Sequence, residues 1–280
     1  MTRDDQVQRA DAFRRAHSAP PLLLLPNAWD AMSARQFEAA GFAAIATTSG
    51  GLAWALGHAD GEAAPWDEVV AATARIVRAV RVPVTADIET GYGDTPEALA
   101  RSIADVIGTG AVGVNLEDGM PDPGRPVRPL EEAADRIRAA REAANAAGVP
   151  LVINARIDLY LKNVGEPAAR FDETVRRAAA YRAAGADCIY PFGLTDMDTL
   201  ARLVAATAMP VNAVARAGLP PAAAYERIGV ARMSIAAGAT LAVMSLVKRI
   251  GEDLRATGGF DGIAHTMNRA EAQALFAPRR

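Results

Sequence analysis

The sequence predicts a (β/α)8 barrel, and three observations lead to this fold class. Eight short apolar runs rich in strand-forming residues alternate with eight longer stretches that favour helix. No linker or shift in composition interrupts the 280 residues, of which 51% are hydrophobic, ample for one large core. A βα unit repeated at this length is typical of a TIM barrel. A doubly wound parallel sheet is the alternative.

Turn residues bound each apolar run, and these runs are the predicted barrel strands. They cover residues 22–26, 43–49, 82–89, 111–118, 149–158, 186–193, 209–215 and 231–236. The helix-favouring stretches cover residues 28–40, 66–80, 96–108, 129–147, 171–184, 196–206, 220–228 and 238–255. Several of these stretches begin at a capping residue or an early proline, as at Thr95-Pro96, and end at a glycine such as Gly148.

Two segments extend beyond the eight units of what we expect to be one barrel domain over residues 1–280. Residues 1–20 are predicted to form an additional helix at the base of the barrel. Residues 257–280 follow a glycine pair and resume a helical pattern at 268–275. A terminal helix after such a hinge packs either on a neighbouring subunit or back on its own barrel, and both alternatives stay open.

The composition excludes several classes of function. The 30 Lys and Arg against 33 Asp and Glu give a net charge of -3, which argues against a nucleic-acid or anionic-membrane partner. The scarce nucleophilic and metal-binding side chains are Lys162, Lys248, His17, His58, His265 and Cys188. Two lysines leave almost no candidate for Schiff-base chemistry, and so few histidines and cysteines exclude a typical zinc site. Any metal must therefore be held mostly by oxygen.

The sequence also indicates the compartment. Residues 1–15 are charged and lack the apolar core of a secretory signal. The uncharged stretch 234–247 is shorter than the about 20 residues that span a bilayer. A lone cysteine, Cys188, fits a reducing compartment and reads as a small core residue, while His58 reads as a surface residue. We expect a cytoplasmic protein.

Polar side chains gather where four successive predicted strands end, which is the face where barrels of this kind carry their chemistry. They are Asp87 and Glu89 on strand three, Asn115 and Glu117 on strand four, Asn154, Arg156 and Asp158 on strand five, and the turn Ser49-Gly50-Gly51 after strand two. The strand period of two places the members of each strand group on one face. The sequence therefore predicts one polar cavity at this end of the barrel.

Converging carboxylates repel one another unless a cation sits among them. Oxygen ligands without nearby histidine favour Mg²⁺ or Mn²⁺ over zinc. The alternative is that Asp87 and Glu89 pair with arginines in a structural network. Arg156 would be costly to bury without an anion, and of a site carboxylate and a substrate carboxylate we favour the substrate.

Two loops carry weaker signals. Ser49, Gly50 and Gly51 supply a hydroxyl and open backbone N–H groups suited to a carboxylate or phosphoryl oxygen, although such a sequence is often only a turn. The proline-rich segment 119–129 follows the acidic end of strand four. It is either a lid over the site or an ordinary long connection.

Six stretches of the chain carry a family resemblance. They are Pro26-Asn27-Ala28-Trp29-Asp30, Thr48-Ser49-Gly50-Gly51, Leu56-Gly57-His58-Ala59-Asp60, Ala86-Asp87-Ile88-Glu89-Thr90-Gly91-Tyr92-Gly93, Asn115-Leu116-Glu117-Asp118 and Asn154-Ala155-Arg156-Ile157-Asp158. In this order they resemble the isocitrate lyase and phosphoenolpyruvate mutase superfamily over nearly the whole chain. The first stretch is similar to the branch that contains the mutases, methylisocitrate-type lyases and oxaloacetate decarboxylases.

The resemblance implies a Mg²⁺-dependent barrel enzyme whose last helix swaps between subunits of a homodimer or homotetramer. It implies Asp87 as the direct metal ligand, with metal-bound waters held by Asp60, Glu89 and Glu117. By the same resemblance, Asp60, Glu117 and Arg156 would take part in catalysis. The substrate, a small carboxylic acid, would be bound by Ser49, Gly50, Gly51, Arg156 and Asn212. The metal of such enzymes stabilises the enolate that forms when a bond next to an oxo group breaks.

Two positions depart from the family's lyases. Those lyases carry a Lys-Lys-Cys-Gly-type sequence after strand four, where this chain has Gly119-Met120-Pro121-Asp122-Pro123-Gly124-Arg125. They also carry a glutamate at the end of strand six, where this chain has Tyr190-Pro191-Phe192-Gly193. We therefore expect cleavage of a C–C bond by decarboxylation of an oxaloacetate-like acid, which needs no cysteine acid. The alternatives are C–P bond chemistry, as in phosphoenolpyruvate mutase or phosphonopyruvate hydrolase, and a non-catalytic ligand-binding protein.

Overall fold

The computed structural model describes residues 1–18, 20–264 and 266–277; Ala19, His265 and residues 278–280, parts of both predicted terminal segments, lie outside them. The described residues form nine strand segments. They are β1 (Leu23–Leu25), β2 (Asn27–Ala28), β3 (Ile45–Thr47), β4 (Val84–Asp87), β5 (Gly113–Glu117), β6 (Val152–Ile157), β7 (Cys188–Pro191), β8 (Asn212–Val214) and β9 (Arg232–Ser234). Each falls within or beside a predicted apolar run.

The strands pair in parallel and close into a ring. One ladder runs β2-β3-β4-β5-β6-β7 and the other β1-β9-β8. The two ladders are joined by a bridge between Ile189 and Val211. On the other side they are joined by the chain itself, because only Pro26, which has no N–H to donate, separates β1 from β2. The predicted barrel is confirmed, and the unbroken sequential order of the strands excludes a doubly wound sheet.

Helices alternate with the strands. They are α1 (Arg3–Arg15), α2 (Ala31–Ala39), α3 (Ser49–Leu56), α4 (Trp66–Ala79), α5 (Pro96–Thr109), α6 (Leu130–Ala146), α7 (Pro167–Ala183), α8 (Met197–Ala206), α9 (Ala222–Arg227), α10 (Gly238–Thr257) and α11 (Arg269–Phe276). Apolar residues on their inner faces, such as Ile76, Ile103 and Ile137, are buried against the strands. None of the helices among the described residues is long and apolar enough to cross a bilayer.

The helix α3 is a correction to the sequence prediction. Residues 49–51 were expected to form a turn, whereas the structure begins a helix at Ser49, immediately after the N-cap residue Thr48. Two glycines in the first turn disfavour a helix locally by roughly 1 kcal/mol each relative to alanine. Burial of Gly51 and Leu52 against the barrel offsets this cost.

The helix α1 lies at the base of the barrel. The buried Gln6 side chain donates to the carbonyl oxygens of Ile107 and Ala111, both at 2.9 Å, just before β5 begins. Arg14 donates at 3.1 Å to the carbonyl oxygen of Pro150, just before β6. The helix therefore covers the end of the barrel opposite the polar strand ends.

The C-terminal helices differ in their contacts. On α10 the apolar side chains of Leu241, Met244 and Val247 are 49%, 47% and 62% exposed. In contrast, α11 lies against α2 of its own chain, where the Arg35 guanidinium donates to the Leu275 carbonyl oxygen and lies 6.0 Å from the centre of the Phe276 ring. Of the two alternatives for the terminal helix 268–275, the structure shows the one that folds back on its own barrel.

Candidate active site

Asp87 ends β4 and is held by backbone N–H groups. Its Oδ2 accepts from the Ser49 N–H at 3.3 Å, at the first turn of α3, and its Oδ1 accepts from the Glu89 N–H at 3.4 Å. Its own N–H donates to the Thr47 hydroxyl at 2.8 Å. Asp87 therefore joins the ends of β3 and β4, as the sequence predicted for adjacent strands.

Glu89 is buried and is fixed by residues that sequence reasoning missed. Its Oε2 accepts from the Glu62 N–H at 2.8 Å and its Oε1 from the Tyr92 hydroxyl at 3.2 Å. Glu62 in turn accepts from the Thr90 hydroxyl at 2.6 Å and the Tyr92 N–H at 3.0 Å. The loop after α3 thus reaches across to the segment after β4. Positive φ at Glu62, Glu89 and Tyr92 makes this segment irregular, and no local periodicity signals such contacts.

Glu117 and Asp158 flank Arg156 on the adjacent ends of β5 and β6. The guanidinium Nη1 lies 2.6 Å from Glu117 Oε2, and Nε and Nη2 donate to the two Asp158 oxygens at 2.6 and 3.1 Å. The guanidinium carbon lies 4.2 Å from the centre of the Phe192 ring. The anions that pair with Arg156 are therefore the site carboxylates Glu117 and Asp158. This corrects our expectation that a substrate carboxylate would be its partner. An aromatic ring lines the end of β7, where lyases of the family carry glutamate.

A buried network behind these residues orients Asp158. Asp118 Oδ1 accepts from the Asp158 N–H at 2.9 Å. Asp118 Oδ2 accepts from Arg177 at 2.7 Å and from the Tyr181 hydroxyl at 2.6 Å. Asp118 is thus a positioning residue, because it holds the backbone of Asp158, whose two carboxylate oxygens accept from Arg156. The sequence placed Asp118 in a motif but gave no partner for it.

The site carboxylates carry more negative charge than Arg156 neutralises. Burial raises the pKa of Asp87, against the attraction of Arg156, and repulsion from Asp60 also raises it. Burial, with repulsion from Asp87 and Asp60, raises the pKa of Glu89 to about 7. Burial also holds the pKa of Glu117 well above its ordinary range, against the attraction of Arg156. A bound cation would relieve this arrangement.

The four predicted metal-site residues, Asp60, Asp87, Glu89 and Glu117, interact electrostatically, although Asp60 is exposed. Within the described residues, neither Asp87 nor Glu89 pairs with an arginine inside 4.0 Å, so the arginine-network alternative fails for them. In the same part of the chain no three Asp, Glu, His or Cys side chains are placed to hold an ion directly. Mg²⁺ commonly takes one or two carboxylates and keeps several waters, so this all-oxygen set fits it.

The glycines of α3 permit close approaches. A Cβ on Gly50 would lie 3.1 Å from Asp60 Oδ2 and 3.3 Å from Trp54. A Cβ on Gly51 would lie 2.6 Å from Thr240 Oγ1 and equally close to a methyl of Thr48, so no side chain fits there. Gly50 therefore lies beside the acidic residues, whereas Gly51 is packed against the first turn of α10.

Asn212 lies deeper than the acidic residues, on β8 inside the barrel. Its amide donates at 3.3 Å to the Ser234 hydroxyl, which also lies 3.4 Å from the Tyr190 hydroxyl. Below them Arg232 is fully buried and donates at 3.0 Å to Asn115 Oδ1. The barrel interior is therefore polar beneath the site.

The segment after β5 folds onto itself. Gly119 and Val127 form an antiparallel bridge, and the Met120 N–H donates to the Pro126 carbonyl oxygen at 2.8 Å. Lys162 donates at 2.8 Å to the Met120 carbonyl oxygen, which ties the base of the loop to the segment after β6. Residues 121–125 at its tip are exposed. The loop is thus a closed hairpin beside the site.

The remaining candidates lie away from the chemistry. Cys188 is fully buried on β7, as predicted, and burial raises the pKa of its thiol to about 12. His58 Nε2 lies 3.8 Å from Glu68 at the partly exposed start of α4. His265 lies outside the described residues.

Comparison with known proteins agrees with this geometry. A family model described as Phosphoenolpyruvate phosphomutase matches residues 13–255. The 2-methylisocitrate lyase of Bacillus subtilis (strain 168) is 31% identical over 195 residues, 68% of this chain and 61% of that protein. A crystal structure of 2,3-dimethylmalate lyase is 27% identical, with a TM-score of 0.83 over 95% of this chain and 94% of that one.

A structure of oxaloacetate acetylhydrolase in complex with the product oxalate is 25% identical, with a TM-score of 0.82 over 95% of this chain and 94% of that one. These relatives are enzymes, and the family match spans the barrel and all the strand-end motifs. The chain therefore belongs to the phosphoenolpyruvate phosphomutase family, within the superfamily of isocitrate lyases and PEP mutases.

Proposed function

We propose that this protein is a Mg²⁺-dependent lyase that breaks a C–C bond next to an oxo group in a small 2-oxo acid, with decarboxylation of an oxaloacetate-like acid as its reaction. The observation that carries the proposal is the set of mutually repelling carboxylates, half-buried at Asp87 and Glu117 and buried at Glu89, that surrounds the Arg156 guanidinium at the ends of β4 and β5. The similarity to an enzyme named for oxaloacetate supports the substrate class.

The acidic residues of the site would bind the metal ion. Asp87 would bind Mg²⁺ directly, and Asp60, Glu89 and Glu117 would hold its waters. Mn²⁺ has the same oxygen preference and would serve in its place. The ion would supply electrophilic stabilisation for negative charge that develops on the oxo acid.

Substrate contacts would come from three elements. The Ser49 hydroxyl and the Gly50 N–H would face the substrate at the first turn of α3, where the helix dipole favours a carboxylate, while the Ser49 N–H donates to Asp87. Arg156, paired with Glu117 and Asp158, would add positive charge close to the substrate without pairing with its carboxylate, and Asn212 would contact a second carboxylate from below. Gly51 contributes through packing, which sets the position of this turn.

The missing cysteine favours decarboxylation over a retro-aldol cleavage. When CO₂ leaves, solvent can protonate the remaining carbanion, so no acid is needed in the loop 119–125. That loop offers Asp122 but no thiol. In addition, Phe192 rather than a glutamate faces Arg156, so the end of β7 supplies no carboxylate acid either.

The reaction is tested by incubating the protein and Mg²⁺ with oxaloacetate, methylisocitrate, dimethylmalate or phosphonopyruvate, and following pyruvate, glyoxylate and phosphate. We expect pyruvate from oxaloacetate above the uncatalysed rate, and its loss in Asp87→Ala. Asp122→Ala, which removes an exposed carboxylate of the loop, is the matched control. Phosphate release alone would show a C–P enzyme, and no turnover of any substrate would favour a ligand-binding protein.

Metal binding is tested separately from turnover. Titration calorimetry with Mg²⁺ should show binding to the native protein and loss of at least tenfold in affinity in Asp87→Ala, because the direct carboxylate is gone. Equal binding by both proteins would remove the proposed metal site.

We further propose that α10 packs on a second copy of this chain, in a homodimer or a tetramer. Its apolar side chains are exposed, and so is Leu24, at 37%, in the middle of β1. A cavity of about 390 Å³ between Trp29, Trp54 and Val247 lies beside it. Exposed apolar side chains grouped on one helix are typical of a subunit interface.

A further inference from the structure

A second cavity lies at the base of the barrel, at the opposite end from the acidic residues. It has a volume of about 820 Å³ and is bounded by α1, the last turns of α4 and the C-terminal end of α5. This volume is within the range of small-molecule sites in proteins. None of the residues described above as part of the active site lines it.

The charge of this cavity is one-sided. Arg3, Arg9, Arg78 and Arg81 line it, and none of its lining residues in the described part of the chain is an aspartate or glutamate. Among the described residues, none of the four arginines has a carboxylate within 4.0 Å. Such convergence of cations is unusual in a chain whose net charge is -3.

Two acidic residues that interact with these arginines, Asp5 and Glu38, also have other partners. Asp5, one turn before Arg9 on α1, interacts with it electrostatically but is capped by the Thr2 backbone and hydroxyl. Glu38 accepts from the backbone N–H of Arg81 and pairs with Arg35. Arg3 Nη1 donates at 3.0 Å to Gln6 Oε1. Among the described residues, the other N–H groups of Arg3 and the guanidinium groups of Arg9, Arg78 and Arg81 have no carboxylate within 4.0 Å and are open to an anion.

The walls of the cavity are firm and partly apolar. Val77, Val80 and Ile107 are buried residues that line it. Gln6, only 4% exposed, is fixed by its two hydrogen bonds to the carbonyl oxygens that precede β5. An apolar wall beside several guanidinium groups suits a ligand with an organic part and more than one phosphate, because guanidinium binds phosphate oxygens in pairs.

We propose that this base cavity binds a soluble polyphosphorylated small molecule, such as a nucleoside diphosphate, at a site separate from the active site. The proposal does not depend on the proposed reaction. The anion would bridge α1 and α4, with Arg78 and Arg81 from one wall and Arg3 and Arg9 from the other.

The test is titration calorimetry of the full chain with ADP and with inorganic pyrophosphate, without divalent cations so that the active site offers no metal to the phosphates. We expect binding that weakens with added salt. Loss on the order of tenfold or more is expected in the double variant Arg78→Ala and Arg81→Ala, since charge-assisted hydrogen bonds are removed.

Three further variants make the result interpretable. Arg75→Ala removes an exposed arginine of α4 that does not line the cavity and should leave the affinity unchanged, as should Asp87→Ala. Arg9→Glu reverses a charge on the other wall and should also weaken binding. The proposal is overturned if neither probe binds at millimolar concentration, if Arg75→Ala weakens binding as much as the double variant, or if only an oligonucleotide or anionic vesicles bind.

Discussion

Asp118 is a residue that we expect to influence the site without contacting the substrate, by positioning its neighbours. Its carboxylate is buried and accepts hydrogen bonds from the Asp158 N–H, Arg177 and Tyr181. Through Asp158 it sets the orientation of Arg156. Asp118 therefore links the stability of the barrel wall to the geometry at its rim.

We predict that Asp118→Asn lowers the free energy of unfolding by about 1–3 kcal/mol, because the buried Arg177 keeps Glu173 but loses a charge-assisted hydrogen bond to Asp118. Oxalate, used as a probe, should also bind more weakly, since Arg156 loses its fixed orientation. Urea unfolding and calorimetry measure the two effects. Asp135→Asn, which breaks an exposed pair with Arg138, is the control and should cost less than about 1 kcal/mol. Equal effects of the two variants would contradict the prediction.

His17 is buried at the end of α1, where Nδ1 donates to the Phe13 carbonyl oxygen at 2.8 Å and Nε2 faces Arg232. Burial lowers its pKa from 6.5 to about 3, so the unfolded chain takes up a proton more readily than the folded protein. Stability therefore falls as pH decreases from 6.5 towards 3.

We predict that wild type loses stability relative to His17→Asn over this pH window, by up to about 1.4 kcal/mol per pH unit. The difference isolates His17 because both proteins share Glu89, whose raised pKa acts in the opposite sense, with stability lost as pH rises towards 7. Urea unfolding at several pH values measures it. A pH-independent difference between wild type and His17→Asn would refute the prediction.

At the scale of elements, α3 illustrates how packing overrides local propensity. Its first turn lies between Asp87 and the start of α10, and only a residue without a side chain fits at Gly51. The position of the Ser49 N–H, and hence of the predicted carboxylate site, depends on this close packing.

We predict that Gly51→Ala destabilises the protein by about 1–3 kcal/mol through overpacking and weakens oxalate binding. Gly108→Ala is the matched control, because Gly108 also lies in a helix but has open space around it. That control should stabilise the protein by roughly 0.5–1 kcal/mol. Thermal unfolding measures both, and a stabilising Gly51→Ala would show that the first turn of α3 is less tightly packed than the structure indicates.

For the whole molecule, the exposure of α10 predicts assembly. We expect native protein to sediment as a dimer or tetramer, and Val247→Asp to dissociate it, because a charge would be buried in the interface. Glu252→Ala on the same helix changes an exposed charged residue and should leave the assembly intact. A monomeric native protein at micromolar concentration would contradict the proposed interface.

The sequence by itself determined the barrel, because the strand and helix periods are local properties of neighbouring residues. It also placed Asp87, Asn115 and Glu117 at strand ends, since the order of parallel strands suffices for that, whereas Glu89 lies beyond the end of β4 at a positive φ. The bounds of the strands were overestimated, because residues at strand ends share the same apolar composition whether or not they pair.

Only the tertiary structure decided which side chains pair with one another at the rim of the barrel. Arg156 has two site carboxylates, Glu89 is held by Glu62 from a distant loop, and α3 replaces an expected turn. Likewise α11 turns back onto α2 while α10 stays exposed. These outcomes depend on which loops meet once the ring closes, and contacts between residues far apart in the chain leave no periodic trace in the sequence.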